Sequence, residues 1–392
     1  MSGSPPESGR ERALLGVHPR LEASVPWVRL GVFPTPVAPL DALAEASGWP
    51  RGGLWEKRDD RSSPLYGGNK VRTLEVLFGD ALADEATHVY ATGGFGSNHG
   101  TATVLHAPRC GLTPGAMLFP QPASQTAADN LEVMLTHGHT VKILPHLVAF
   151  PTGWWQLPRE ARARGERAYV MEPGGAVPLG ALGYVSAGWE LAHQVAAGAL
   201  PRPRVVVVPV GSNCTVAGLV LGFRYAAEAG VGFVDGGAPA PPLAWAVRVT
   251  PWPVTTARRI LRLAHLTSRL LAARLGDATL VRNQPTLAPG LRVDPRHLGR
   301  GYGRPTAAGR AAMRRWRATT THALETTYSG KAAAAFLDIA RTVPRGPVLF
   351  WSTKSSAPLP PADPAAIRDA PPSVRRWLSR CSRSESGTSG RG

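Results

Sequence analysis

Five clusters in this 392-residue chain combine side chains able to do chemistry with spacings that would gather them. The first is YGGNKVRTLE, residues 66–75. Two glycines permit a tight turn, and Lys70 then opens a helical stretch. A cation near a helix N-terminus is electrostatically misplaced, which makes sense if the amine is needed as a neutral nucleophile or is converted to an imine. Taken alone, a surface lysine after a turn explains it equally well. The second cluster, TGGFGSNHGTA (92–102), follows an apolar run and opens a helix with Ser97, Asn98 and His99. Backbone amides at such a start, flanked by hydroxyl and amide groups, bind a carboxylate, although a plain N-cap by Ser97 or Asn98 needs no ligand.

In the third cluster, VVVVPVGSNCTVAGL (205–219), a β-branched run passes through a turn of small polar residues into a helix. Such a turn aims several N–H groups and the helix dipole at one spot, which suits a phosphate. The pattern is neither GxxxxGK[ST] nor GxGxxG, and an ordinary βα loop remains an equal reading. Cys214 reads as a small packing residue. The fourth and fifth clusters are TTYSGKAAAAFLDIA (326–340), with Tyr328 and Ser329 before a helix, and GRGYGRPT (299–306), with Tyr302 between glycines. Ser329 as a cap and Tyr302 as a packing residue are the plain readings.

The elements that must carry these clusters alternate between strand and helix. Strands are predicted at 54–59, 88–93, 115–119, 140–144, 168–172, 204–210, 243–249 and 347–353, and helices after Lys70, from Asn98, over 181–195 and from Val216. The alternation predicts an α/β fold with parallel sheets. The nearly continuous apolar run at 204–210 belongs where both sheet faces are covered.

Composition narrows the class. Hydrophobic residues at 43% and charged residues at 18% are ordinary for a globular chain of roughly two domains. No run of about 18 apolar residues predicts a membrane span, the N-terminus lacks a secretory pattern, and three scattered cysteines build neither a disulfide framework nor a zinc site. A reducing cytoplasm follows as the expectation. The +17 formal charge attracts polyanions in general, yet no nucleic-acid-binding motif accompanies it, so a solvated basic surface is expected and no specific nucleic-acid partner. His137 and His139 form no metal-ligand pattern, and no metal is expected. Residues 1–20 and 371–392 read as tails, the second basic.

None of the five clusters decides alone, but their order does. FPTPVAPLDAL, EKRDD, GGNKVRTLE, GSNHGTAT, GALGYVSAGWELA, GSNCTVAGL, GYGRPT and YSGKAAAAFLD run collinearly between about residues 32 and 355. Together they resemble the pyridoxal-phosphate-dependent deaminases and desulfhydrases related to 1-aminocyclopropane-1-carboxylate deaminase and D-cysteine desulfhydrase. The resemblance implies a two-domain, open parallel-sheet α/β architecture of fold type II, tryptophan synthase beta-like. Residues 21–72 plus 180–370 would form the large cofactor-binding domain and 73–179 the small one.

The resemblance also assigns roles. Lys70 would be the Schiff-base lysine, with Ser212, Asn213, Cys214, Thr215, Ala217 and Gly218 around the cofactor phosphate. Asn98 would bond the cofactor's ring oxygen. Ser97, Asn98, His99 and Thr353 would receive the substrate, with Ser97 also counted as catalytic. Tyr302 and Tyr328 would transfer protons or stack, and Ser329 would face the pyridine nitrogen. A small amino-acid substrate and a homodimer are implied too. Ser329, where cyclopropane deaminases carry Glu, and Thr353, where they carry Leu, lean toward β-elimination to a 2-oxo acid and ammonia. Cyclopropane ring opening, racemisation and a cofactor-binding protein without turnover are the alternatives. Two departures stand out: STKSS (352–356) replaces the family's HTGG or HLGG, and residues 276–300 match poorly.

Overall fold

Val205–Val210 is buried along its whole length, and the computed structural model, which describes residues 12–342 and 346–386, places it in the middle of a sheet. In chain order the strands of the two main sheets are β1 (Val37–Pro39), β2 (Leu54–Lys57), β3 (His88–Gly94), β4 (Thr113–Phe119), β5 (Thr140–Ile143), β6 (Ala168–Val170), β7 (Val205–Val210), β8 (Leu243–Arg248), β9 (Leu291–Asp294) and β10 (Val348–Trp351). A six-stranded sheet runs β1-β2-β10-β7-β8-β9, parallel except for β1 at its edge. A four-stranded sheet, β5-β4-β3-β6, is parallel throughout. In register, Val205 lies opposite both Leu243 and Val348.

The helices that matter for the site are α1 (Ala13–Val17), α2 (Asn69–Ala83), α3 (Asn98–His106), α4 (Gln125–His137), α5 (Pro178–Ala196), α6 (Cys214–Glu228), α7 (Ala257–Leu275), α8 (Ser329–Thr342) and α9 (Pro372–Ser386). One core joins α5 and α6 to a face of the large sheet, and a second covers the other face with α8. A third surrounds α2 and α3 beside the small sheet. α2 is buried on nearly all sides, so the element carrying Lys70 is held as a core helix. Strands β2, β3 and β7 each end in a loop leading into one of the chemical clusters, and β10 ends in the STKSS segment, as parallel sheets place ligands beyond their carboxyl ends.

A polar network fixes the near end of α2. Arg72 donates to Asp59 at 2.8 Å and to both Glu190 oxygens at 2.8 and 2.9 Å. Tyr184 and Trp351 donate to the second Asp59 oxygen at 2.7 and 2.8 Å. Burial alone would raise the Glu190 carboxyl, but Arg72 and Lys57 outweigh it and hold it at about 2. Such groups survive burial because every one is paired.

Both ends depart from the expectation of tails in their described parts. Arg12 pairs with buried Glu75, and Leu14 and Leu15 join the core. Val374, Trp377 and Cys381 are buried on one face of α9. Their spacing of three and four residues is an apolar helical stripe, obscured in sequence by the surrounding Arg and Ser. Strand β9 and helix α7, neither predicted, lie in and beside the poorly matching 276–300 region. The small sheet draws only on residues 88–170, and on that ground we propose the division into 21–72 plus 180–370 and 73–179.

Candidate active site

Lys70 sits in the first turn of α2, pinned by its neighbour. Asn69 donates its amide to the Thr353 carbonyl at 2.9 Å and its side chain to Thr215 Oγ1 at 2.9 Å. This ties the lysine to the loop after β10 and to the start of α6. Lys70 Nζ donates to the Gly174 carbonyl at 3.0 Å, with no carboxylate paired to it among the described residues. Desolvation therefore lowers its pKa, with only Cys214 opposing. A Cβ on Gly174 would lie 2.5 Å from Ser212 Oγ and 3.2 Å from Lys70 Nζ. Only glycine lets the backbone approach both groups so closely.

At the start of α6, Asn213 adopts a left-handed backbone (φ 75°) and donates to the Val254 carbonyl at 3.1 Å, while its buried Oδ1 has no partner. The Ala217 amide already donates to the Asn213 carbonyl at 3.0 Å, so the amides of the first turn that a ligand can use precede it. Gly218 serves another purpose: a Cβ there would meet the Ala181 carbonyl at 2.5 Å. It allows α5 and α6 to pack closely. On these grounds we propose that the predicted anion cradle is centred on residues 212–216, with Ala217 and Gly218 behind it. Cys214 packs as expected, fully buried with its thiol on the Gly175 carbonyl at 3.2 Å.

At the start of α3, Ser97 Oγ accepts from the Gly100 amide at 3.1 Å and is an N-cap. Asn98 Oδ1 accepts from Tyr66 Oη at 3.1 Å and from Asn130 Nδ2 at 2.9 Å. With its carbonyl taken by two donors, Asn98 has its Nδ2 hydrogens as the groups it can still offer a ligand. His99 is buried, with neither ring nitrogen bonded. Burial, aided by Lys70, lowers its pKa to about 3, so the imidazole is neutral.

Tyr302 and Tyr328 meet, their hydroxyls 2.7 Å apart and their rings edge to face at 5.9 Å. Desolvation raises Tyr302 to about 12 and Tyr328 well above an ordinary phenol. Both therefore hold their protons at neutral pH. Lys331, buried on α8, donates to the carbonyls of Leu298 and Gly301, each at 2.9 Å, and fastens the Tyr302 loop to the helix following Tyr328. Ser329 stands at the first position of α8. Its Oγ accepts the Glu325 amide at 2.8 Å and lies 3.2 Å from Glu325 Oε1. Glu325 in turn accepts the amides of Thr327, Tyr328 and Ser329 at 2.6 to 2.7 Å. The hydroxyl is spent on shaping this turn as well as being near α8's start.

The STKSS segment wraps the Lys70 turn. Buried Thr353 contributes its carbonyl to Asn69, Ser355 Oγ accepts the Gly67 amide at 2.9 Å, and Lys354 Nζ donates to Tyr66 Oη at 2.9 Å. Tyr66, Asn130, Gly174, Glu325, Lys331 and Lys354 are thus site or supporting residues that the sequence motifs do not single out. Only Tyr66, Lys331 and Lys354 lie inside those motifs or the STKSS segment. His139 lies with His88 and Glu166, ligand atoms within 4.8 Å of one another, but Glu166 is already bonded to Arg164 at 2.6 Å.

A parallel α/β frame, an amine without a counter-ion and an anion cradle at a strand-to-helix turn define a cofactor-dependent enzyme of amine chemistry. The chain belongs to the pyridoxal-phosphate dependent enzyme family, which it matches over residues 28–354. It is 39% identical over 202 residues to the nocardicin C-9' epimerase of Nocardia uniformis, covering 51% of this chain and 59% of that protein, so the match spans about six-tenths of that relative's length. It is 30% identical over 336 residues to the D-cysteine desulfhydrase of Salmonella paratyphi C, covering 84% of this chain and 93% of that protein. A solved structure described as an ACC deaminase homologue superposes with a TM-score of 0.68 at 26% identity, covering 89% of this chain and 95% of the other. The fold is tryptophan synthase beta-like, as expected.

The residues present fit pyridoxal phosphate. Lys70 would offer the amine, residues 212–216 the phosphate donors, and Asn98 Nδ2 a donor for a ring oxygen. The orphaned Asn213 Oδ1 and His99 nitrogens are buried polar atoms that a ligand would satisfy. Among the described residues, no helix is long and apolar enough to cross a membrane.

Proposed function

We propose that this chain is a lyase that removes the α-proton from a small amino acid and eliminates a β-substituent, D-cysteine desulfhydrase-like, yielding a 2-oxo acid and ammonia. The observation that carries the reading is the Lys70 amine, desolvated and without a carboxylate, flanked by an anion cradle, a carboxylate-binding helix start and a tyrosine pair. Pyridoxal phosphate, when bound through Lys70, supplies the delocalisation of the electron pair left by the α-proton.

Every other part is done by this chain. Amides at the start of α3, with Ser97 and Thr353, receive the substrate carboxylate and orient the α-proton toward Lys70. Burial lowers the Lys70 pKa and so favours the neutral amine, the form that accepts that proton. Neutral His99 adds an N–H without a competing charge. Tyr302 and Tyr328 retain their protons, so one donates to the departing β-substituent while the other holds it in line through the 2.7 Å bond. A second reading, epimerisation, is favoured by the 39% identity to the nocardicin epimerase. It shares the proton removal and differs in returning the proton to the opposite face. We also propose a homodimer, on the family resemblance alone.

The test is the visible absorption of the wild type and of Lys70→Ala, each incubated with D-cysteine. The wild type should show a cofactor band that Lys70→Ala lacks, and should alone release sulfide and pyruvate. A band with inversion at Cα and no sulfide would replace elimination by epimerisation. No band after added cofactor would end the proposal.

A further inference from the structure

Lys354 is a charge without a counter-charge in a site built for an anionic ligand. Its ammonium donates to Tyr66 Oη at 2.9 Å and lies 4.8 Å from the centre of the Tyr66 ring. Among the described residues no carboxylate pairs with it, whereas the neighbouring Arg58 has Asp60 at 2.7 Å. Tyr66 relays the contact, donating onward to Asn98 Oδ1 at 3.1 Å. The ammonium is therefore no more than two hydrogen bonds from the residue expected to face cofactor and substrate. A lysine ammonium has three N–H donors, and only one is used here.

The rest of the site already has donors for what a neutral amino acid brings. The start of α3 serves one carboxylate and the turn at 212–216 serves a phosphate. Both use amides, hydroxyls and dipoles, with no fixed cation. Lys354 adds a half-buried ammonium group, on a segment where the resembling family carries glycine. The backbone locks it there: the Asn69 amide donates to the Thr353 carbonyl and Gly67 to Ser355 Oγ, on either side of residue 354.

We infer that Lys354 binds a second anionic group, carried on the side chain of the amino-acid substrate, and selects acidic over neutral amino acids. This inference rests on the proposed amino-acid site. The side chain, and not the α-carboxylate, is assigned because Lys354 bonds on the Tyr66 side of Asn98, which holds the carbonyl of that amide and not its donor hydrogens. A charge-assisted bond in a partly desolvated site discriminates a carboxylate from its isosteric amide by about tenfold or more.

The test uses the cofactor-loaded protein and calorimetric titration with D- and L-aspartate and D- and L-asparagine, pairs that differ only in side-chain charge. In one configuration at least, aspartate should bind about tenfold tighter than asparagine, a difference of about 1.4 kcal/mol. Lys354→Met should reduce that preference to near unity by weakening aspartate far more than asparagine, and Lys354→Arg should retain it. Near-ultraviolet circular dichroism of the variants checks the fold. No preference in the wild type, or no binding of either pair, overturns the inference. Equal weakening of both ligands in Lys354→Met would put the ammonium on the α-carboxylate and also overturn it. A shifted cofactor band with an unchanged ratio would assign the ammonium to the ring oxygen and overturn the inference as well. Because binding is read without turnover, a Lys354-dependent preference in a protein that eliminates nothing would sink the lyase reading and leave this inference standing.

Discussion

Tyr302 and Tyr328 are the pair whose chemistry depends most on their being together. A phenol raised to about 12 is a poor base at neutral pH and a competent donor. Tyr302→Phe is expected to lower kcat by roughly 10²- to 10⁴-fold, the usual worth of a positioned acid, while the cofactor absorption stays unchanged. Tyr328→Phe should do the same, and the double variant should cost less than the product of the two because each hydroxyl orients the other. Steady-state kinetics of the three variants check this, and strict multiplicativity would refute it. His99 carries a pH prediction for the cofactor-free protein. Its folded pKa is lowered from 6.5 to about 3, so between those values the unfolded chain binds a proton that the folded chain refuses. Stability must therefore fall as pH falls through that window, by at most about 1.4 kcal/mol per pH unit from this group. Urea unfolding at pH 7 and pH 5 should show a smaller acid loss in His99→Asn than in the wild type. Lys70, Asn98 and the tyrosines are legible in the sequence because each sits in a short collinear motif. Lys354 and Asn130 are not, since their importance comes from partners 288 and 32 residues away.

Among the elements, the strands are readable wherever apolar or β-branched runs are bounded by turns, and β7 is the clearest case. Strand β9, LRVD, lies at a sheet edge with two part-buried positions, one exposed, and a charged residue, Asp294, as its buried one, and so offers no such run. What no pattern gives is how α2 is held. Arg72 is the cation between two buried carboxylates, and Arg72→Met would leave Asp59 and Glu190 with Lys57 alone. Removing one partner of a buried network of this kind costs about 3–5 kcal/mol, to be read as a lowered urea midpoint, with the cofactor band lost at a lower denaturant concentration. A midpoint within about 0.5 kcal/mol of wild type would show that the network contributes little. Lys331 acts on the opposite wall. Its two carbonyl contacts hold residues 298–301, so Lys331→Met leaves those half-buried carbonyls only the long 3.4 Å bonds from the Gly301 and Arg304 amides, at about 0.5–1.5 kcal/mol for each bond lost. It should lower kcat through Tyr302 without changing the cofactor band, a split that single-turnover kinetics would detect.

The whole molecule joins its last helix to its substrate loop. The basic C-terminal stretch reads as a tail because Arg and Ser dominate its composition, and the three buried side chains among its described residues, Val374, Trp377 and Cys381, are too few to override that reading. In the fold, Trp377 on α9 stacks edge to face on Phe95 at 5.1 Å and donates to the Gln121 carbonyl at 2.6 Å. Gln121 Oε1 accepts the Gly96 amide at 3.0 Å, and Asn130 bonds both the Gly96 carbonyl and Asn98. The C-terminal helix thus buttresses the turn that presents Ser97, Asn98 and His99. Trp377→Ala should destabilise by about 3–5 kcal/mol, as buried tryptophans do, and in addition should raise KM more than it lowers kcat. Trp316→Ala supplies the control, because Trp316 is equally buried but packs against Phe336 and Phe350 on the far face of the large sheet. It should cost similar stability with KM unchanged at a temperature where both variants are folded. If the two variants shift KM alike, the C-terminal helix is only part of the core; if Trp377→Ala alone does so, the helix tunes substrate binding from outside the site.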